Sequence, residues 1–308
     1  MTMGEILVEI MAAEVGQSFR APGRLVGPFP SGAPAIFIDQ VARLEHDAGI
    51  IGCVGDDDFG WLNIERLRHD GVDTSAITVM KQAVTGSAFV TYDQAGERHF
   101  IFNITNSASA HLSASHVSAT RLASCTHFHV MGSSLFSPGL REATAKAIDI
   151  VSGRGGRVSF DPNIRPELLG LPEMREALTA VLKRTDIFLP SGPELTLLVD
   201  ATTEEDAIEE LLGLGVSEIV VKRGRQGCTY HDATRHLTVP ALEVEEVDPT
   251  GAGDCFAATY VTCRHQGRPV EESLRYACAS GARAVTKTGP MEGTGGLADL
   301  DALLAHDG

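Results

Sequence analysis

Short apolar runs recur along this chain, each followed by a longer stretch with helical spacing, and that alternation restricts its fold more than any other feature. Residues 4–10 (GEILVEI), 49–55 (GIIGCVG), 126–132 (THFHVMG), 156–162 (GRVSFDP), 185–191 (TDIFLPS) and 217–224 (SEIVVKRG) have the length and composition of buried strands. Between them lie amphipathic helices. Residues 137–155 open with Ser137-Pro138, a helix-start signal, and end in glycines. Residues 202–215 place Ile208, Leu211 and Leu212 on one face at helical spacing. Strand, helix, strand repeated in this way predicts an α/β fold with a mostly parallel central sheet and helices on both faces. The 308 residues allow one large α/β domain or two modest ones.

Two segments break the rhythm. Residues 84–104 alternate polar and apolar side chains around Gln94-Ala95-Gly96, the pattern of a β-hairpin. A hairpin inside a parallel α/β chain needs its own place, and a small sheet over the edge of the main one, a lid, provides it. The Gly- and Pro-rich residues 10–36 are expected to supply its other strands. A second hairpin, 228–240, is expected to extend the main sheet near its end.

Composition removes several functions. The 25 Lys and Arg against 41 Asp and Glu leave a formal charge of −16, which argues against nucleic-acid or anionic-membrane partners. The six cysteines are scattered with no CxxC pair, as in a reduced, cytoplasmic protein. The N-terminus lacks the basic and apolar regions of a leader, and no run approaches the ~18 apolar residues of a membrane span. Neither G-x-x-x-x-G-K-[ST] nor a strand-borne G-x-G-x-x-G occurs, so P-loop and dinucleotide-binding chemistry lack support.

The segment 245–265, EEVDPTGAGDCFAATYVTCRH, carries the clearest chemistry. Gly251, Ala252 and Gly253 form a small-residue turn that feeds an apolar helix running to about Gln266. Backbone N–H groups at such a helix start face outward at the positive end of the dipole and suit a phosphate or a developing oxyanion. Asp254, in the first turn, can accept a proton from a nearby hydroxyl. His127 and His129 share a strand face, but without a third ligand nearby polar packing explains them better than a metal. The Asp56-Asp57-Asp58 run precedes a helix expected at 59–70 and suits capping.

These residues belong to a wider pattern. Asp248-Pro249-Thr250-Gly251-Ala252-Gly253-Asp254 resembles the C-terminal signature of the ribokinase-like (PfkB-type) carbohydrate kinases. Residues 4–9 resemble that family's first strand, and Ser31-Gly32-Ala33-Pro34 with residues 52–60 resemble its N-terminal signature. Asp161-Pro162-Asn163-Ile164-Arg165-Pro166 and Val221-Lys222-Arg223-Gly224 resemble its ketosugar and 2-keto-3-deoxygluconate kinase branches, among which the chain as a whole is most similar to the tagatose kinase and 2-keto-3-deoxygluconate kinase branch. The resemblance covers nearly the whole chain and implies one ribokinase-like domain over residues 1–308, with a small β lid from about 10–36 and 84–110. It also implies transfer of the ATP γ-phosphoryl group to a sugar hydroxyl. Asp254 becomes the base and the Gly251, Ala252 and Gly253 amides the anion hole. Glu9, Gly32, Ala33 and Arg165 join Asp254 around the sugar. Ser191, Glu194, Lys222, Gly224, Gly227 and Thr250 join Gly251 and Gly253 around the nucleotide. Glu194 and Asp161 hold Mg2+ through water, and a monovalent cation such as K+ lies beside Asp248 and Thr250. A homodimer through an apolar lid face is a further implication.

Departures from the pattern narrow the substrate. Ser31 stands where the family has glycine, Ile36 where it has a sugar-contacting Asn, and Ser191 where it has Asn; Glu9 stands where it has Asp. Ile104 occupies the place of an Arg that pairs a sugar-acid carboxylate in ketodeoxygluconate kinases, and an unpaired buried carboxylate is costly. The expectation is a neutral ketohexose, tagatose first and fructose next. The rival enzyme is a 2-keto-3-deoxygluconate kinase, and the rival of another class is a non-catalytic sugar-sensing protein on the same scaffold.

Overall fold

Thirteen strands form two sheets in the computed structural model, which describes residues 1–94, 98–164 and 172–306. In chain order they are β1 (Thr2–Met3), β2 (Leu7–Ala12), β3 (Leu25–Ser31), β4 (Ile50–Gly55), β5 (Ile77–Met80), β6 (Gly86–Tyr92) and β7 (Arg98–Asn103). There follow β8 (His127–Met131), β9 (Arg157–Asp161), β10 (Ile187–Phe188), β11 (Glu218–Lys222), β12 (Cys228–His231) and β13 (His236–Val239). The large sheet has the order β13-β12-β11-β10-β9-β8-β1-β4-β5 and is parallel except for the β12–β13 hairpin at one end. That hairpin falls within the 228–240 segment, as expected.

Helices cover both faces of the large sheet, and alternate residues of β4, β10 and β11 feed two separate cores. On one face Ile50, Val54 and Val220 pack with the helices Ala33–Arg43, Ala252–His265 and Val270–Val285. On the other, Ile51, Cys53, Ile219 and Val221 pack with Pro138–Ser152 and Glu204–Gly213. Burial on both faces is why these strands appear as continuous apolar runs without alternation. The helix starts follow the capping signals. Ser137 Oγ accepts from Leu140 N at 3.2 Å, and Asp57 Oδ1 accepts from Gly60 N at 2.9 Å to open the helix Asp58–His69. His127 Nε2 and His129 Nδ1 both meet Ser159 Oγ, at 2.8 and 2.7 Å, which is polar packing. Among the described residues no helix is long and apolar enough to cross a membrane.

The small sheet has the order β3-β2-β6-β7. Its register sets Glu9 beside Ala88 and Ala88 beside Phe102, and sets Tyr92 beside Arg98. Because side chains alternate, Glu9, Ala88, Tyr92, Arg98, Phe100 and Phe102 share one face. The predicted hairpin is present, with Ala95 and Gly96 of its turn outside the described residues. The expected bounds of the other strands need correction. The run 4–10 is not a strand of the large sheet: Thr2–Met3, just ahead of it, pairs there, while Leu7–Ala12 enters the small one. At the division a Cβ on Gly4 would lie 2.1 Å from Ser134 Oγ, and the buried Glu5 carboxylate accepts from Ser133 Oγ at 3.0 Å and from Ser134 Oγ. Residues 33–36 belong to a helix rather than to the small sheet.

Candidate active site

The helix Ala252–His265 begins at Gly251, whose φ of 79° is left-handed and whose Cβ, if present, would sit 2.4 Å from Pro290 O. Only glycine fits such a position without strain. Ile36, buried beneath the turn, has Cγ2 3.3 Å from the same point, so the residue in the family's Asn position serves as packing. The Ala252 N–H makes a long 3.4 Å bond to Pro249 O, while those of Gly251 and Gly253 have no acceptor among the described residues. Helix starts leave such donors free by construction, and here they line an open turn.

Asp254 lies in that first turn, half-buried. Burial pushes its carboxyl well above the usual carboxylate range; Asp161, Glu5 and Glu9 push the same way, and Lys222 opposes them. Lys222, at the end of β11, brings Nζ to within 3.6 Å of where a Gly253 Cβ would be. An ammonium thus lies beside the turn, near enough to the Asp254 carboxyl to act on it. Lys222 Nζ donates to Asp161 Oδ2 at the end of β9. Burial alone would lower the lysine pKa, but Asp161, Glu194 and Asp254 reverse that and raise it, so the ammonium stays charged. The Asp161 carboxyl is pushed up to about 6 by burial against the pull of Lys222. The ends of β9 and β11 lie on the carboxyl edge of the sheet, where open α/β folds bind ligands.

Glu194 is buried and engaged: Oε1 accepts from Ile164 N at 2.6 Å and Oε2 from Ser191 N at 2.7 Å. Ser191 forms a parallel bridge with Lys222, which carries Glu194 to the same edge. Each oxygen keeps a lone pair for a water, so the pair Glu194 and Asp161 suits a hydrated cation better than direct ligation.

Across the site stands the small sheet. Ser31 Oγ donates to Glu9 Oε1 at 2.7 Å, so the two departures from the family pattern answer each other: the extra methylene of Glu9 meets the added hydroxyl of Ser31. Gly32, with φ 110°, would place a Cβ 2.4 Å from Glu5 O, and Ala33 begins the next helix. Thr250 is buried and donates to Asp248 Oδ1 at 2.7 Å. Gly224 has open space around it, whereas a Gly227 Cβ would lie 2.0 Å from Val239 O, which makes Gly227 a requirement of the β11–β12 turn. Arg165 lies outside the described residues. A separate cavity of about 670 Å3, lined by Asp57, Phe59, Thr85, Phe102, Asn103 and Ser107, adjoins the small sheet but reaches neither Asp254 nor Lys222. Ile104 is buried against Leu7, Ala88 and Phe136.

Three residues around the site escape sequence reasoning in whole or part. Glu5 was hidden as one more residue of an apolar run. Tyr92, whose hydroxyl is pushed up to about 12 by burial and by Asp248, and Arg98 were legible in part, because period two already puts them on the face of Ala88 and Phe102.

The pfkB family carbohydrate kinase profile matches residues 26–294. The chain is 33% identical to maize (Zea mays) fructokinase-1 over 302 residues, 94% of this chain and 92% of the maize protein. An E. coli protein provisionally named Ribokinase II, in complex with ATP and Mg2+, is 54% identical with a TM-score of 0.96, covering 99% of this chain and 98% of its own. A fructokinase double mutant from Vibrio cholerae, in a form bound to fructose, ADP and a potassium ion, is 26% identical with a TM-score of 0.86, covering 98% and 96%.

Proposed function

Since this chain belongs to the pfkB family of carbohydrate kinases, we propose that it transfers the γ-phosphoryl group of ATP to a hydroxyl of a neutral ketohexose. The observation that carries this reading is the meeting of Asp254, the free amides of the Gly251–Gly253 turn and the Lys222 ammonium at one sheet edge. Asp254 accepts the proton of the sugar hydroxyl. The hydroxyl oxygen forms its bond to the γ-phosphorus as the bond to the β-phosphate oxygen breaks. The amides and Lys222 receive the charge that gathers on the transferring group, the contribution that dominates phosphoryl transfer. Mg2+, when bound, neutralises phosphate charge, and Glu194 and Asp161 would hold it through water. A monovalent cation such as K+ has Asp248 and Thr250 to lie beside. These local cations and dipoles let an acidic chain take an anionic nucleotide.

Fructose moves ahead of tagatose as the candidate acceptor, because the relatives include fructokinases. Glu9, fixed by Ser31, supplies an acceptor for sugar hydroxyls, and Phe100 and Phe102, stacked with centroids 5.1 Å apart, supply an apolar wall. The buried Ile104 leaves no cation at the place where a sugar acid would need one, which argues against 2-keto-3-deoxygluconate. The small sheet serves as a lid over the sugar. Its other face carries Ile101, 54% exposed, and that face suits a second copy of the chain. Six free, buried cysteines accord with a cytoplasmic enzyme.

An ADP-release screen over neutral ketoses, aldoses, keto acids and nucleosides tests this reading. Fructose or tagatose is expected to give the highest kcat/KM. A preference for the keto acid would replace the substrate, and sugar binding with no ADP release across the panel would favour a sensor.

A further inference from the structure

The small sheet carries a cation that the scheme above leaves unused. Arg98 opens β7 and lies on the face of Glu9 and Phe102. Its Nη1 donates to Thr250 Oγ1 at 2.9 Å, a contact between residues 152 apart in the chain. Its Cζ lies 5.7 Å from the centroid of Phe100, within the range of a cation–π contact that helps to aim the guanidinium. The Thr250 hydroxyl has one proton and two lone pairs. The proton goes to Asp248 Oδ1, so a lone pair takes the arginine. Asp248 Oδ1 also accepts from Thr250 N at 3.0 Å, and Oδ2 accepts from Gly289 N at 3.0 Å. A continuous path of hydrogen bonds therefore leads from the small sheet to Thr250, the residue next to Gly251, and on to Asp248 and Gly289.

Free amides stabilise a developing charge only when they are held in place before it forms. The turn 249–251 has a left-handed residue at its end, and Thr250 is its side-chain anchor. We propose that Arg98 is a positioning residue for phosphoryl transfer: acting through Thr250, it holds the anion-binding turn in register with the small sheet that holds the sugar. This rests on the kinase reading. Arg98 need not touch the sugar, since Glu9 and the aromatic pair stand on the same face independently of it.

Arg98→Ala, Arg98→Lys, Thr250→Val and the double variant Arg98→Ala/Thr250→Val test it, by steady-state kinetics and by amide hydrogen exchange of residues 248–256. Arg98→Ala is expected to lower kcat by roughly 10- to 100-fold, the scale of a lost charge-assisted hydrogen bond, with the sugar KM within about threefold of wild type. Arg98→Lys is expected to recover part of kcat. The double variant is expected to be no slower than the worse single one, because both remove one contact. Exchange in 248–256 is expected to quicken in Arg98→Ala. A raised sugar KM at unchanged kcat, multiplicative losses in the double variant, or unchanged exchange would each overturn the proposal. If wild type phosphorylated no sugar of the panel, the kinase reading would fall, and the exchange measurement would still decide whether Arg98 holds the turn.

Discussion

The two sides of the site are built differently. The large-sheet side is rooted in two cores: Lys222 and Asp161 end strands buried on both faces, and Asp254 starts a helix with Cys255, Ala257, Ala258 and Tyr260 wholly buried. Lys222 donates to Asp161, and its ammonium lies 3.6 Å from where a Gly253 Cβ would be. The small-sheet side is a four-stranded layer in which every residue of β7 is at least partly exposed, with Phe100 and Phe102 each 37% exposed. Proton and phosphoryl transfer depend on sub-ångström placement, which deep packing supplies. Sugar recognition tolerates more movement, and a sheet on the rim can adapt to what it covers.

If that division of labour is right, variants on the large-sheet side act on kcat and variants on the small-sheet side act on KM, Arg98 excepted because it reaches across to Thr250. The largest effect is expected for Asp254→Asn, which keeps the shape and removes the proton acceptor. A loss of about 1,000-fold or more in kcat with little change in either KM is expected, and wild-type turnover would dismiss Asp254 as the base. Lys222→Met should follow, with about a 100-fold loss in kcat. Lys222 holds the Asp254 and Asp161 carboxyls down, so without it the acid limb of the pH–rate profile should move to higher pH. A limb that stayed or fell would contradict the electrostatic account.

Gly251→Ala should cost about 1–3 kcal/mol of stability, measured by chemical denaturation, because it combines a left-handed backbone with a clash against Pro290 O. An unchanged midpoint would mean that the turn is less constrained than its geometry indicates. Glu9→Gln should raise the sugar KM by about tenfold and leave kcat nearly intact. Glu9 is one of the carboxylates that push Asp254 up, so its neutralisation should move the acid limb to lower pH. A fall in kcat with an unchanged KM would place Glu9 on the chemical side instead. The smallest effect is expected from Ile101→Ser on the outer face of the small sheet. Turnover should hold, while sedimentation should show a shift towards monomer; an unaltered oligomer would remove that face from consideration as an interface.

Local pattern was enough for much of this molecule. Apolar runs without alternation required strands buried on both faces, and the intervening helical spacing required the two covering layers, since both periodicities are set by burial along a few turns of chain. The Gly251–Asp254 string likewise announced a helix start with free amides, because capping is a matter of neighbouring residues. Tertiary structure decided the rest. It left Thr2–Met3 in the large sheet and sent Leu7–Ala12 into the small one, with Gly4 crowded by Ser134 and Glu5 accepting from it between them. It turned Glu194 towards the amide of Ile164, matched Ser31 to Glu9, and set Arg98 on Thr250. Those pairs lie up to 152 residues apart. No periodicity spans such a separation, so only the order of strands in the two sheets could bring the partners within hydrogen-bond reach.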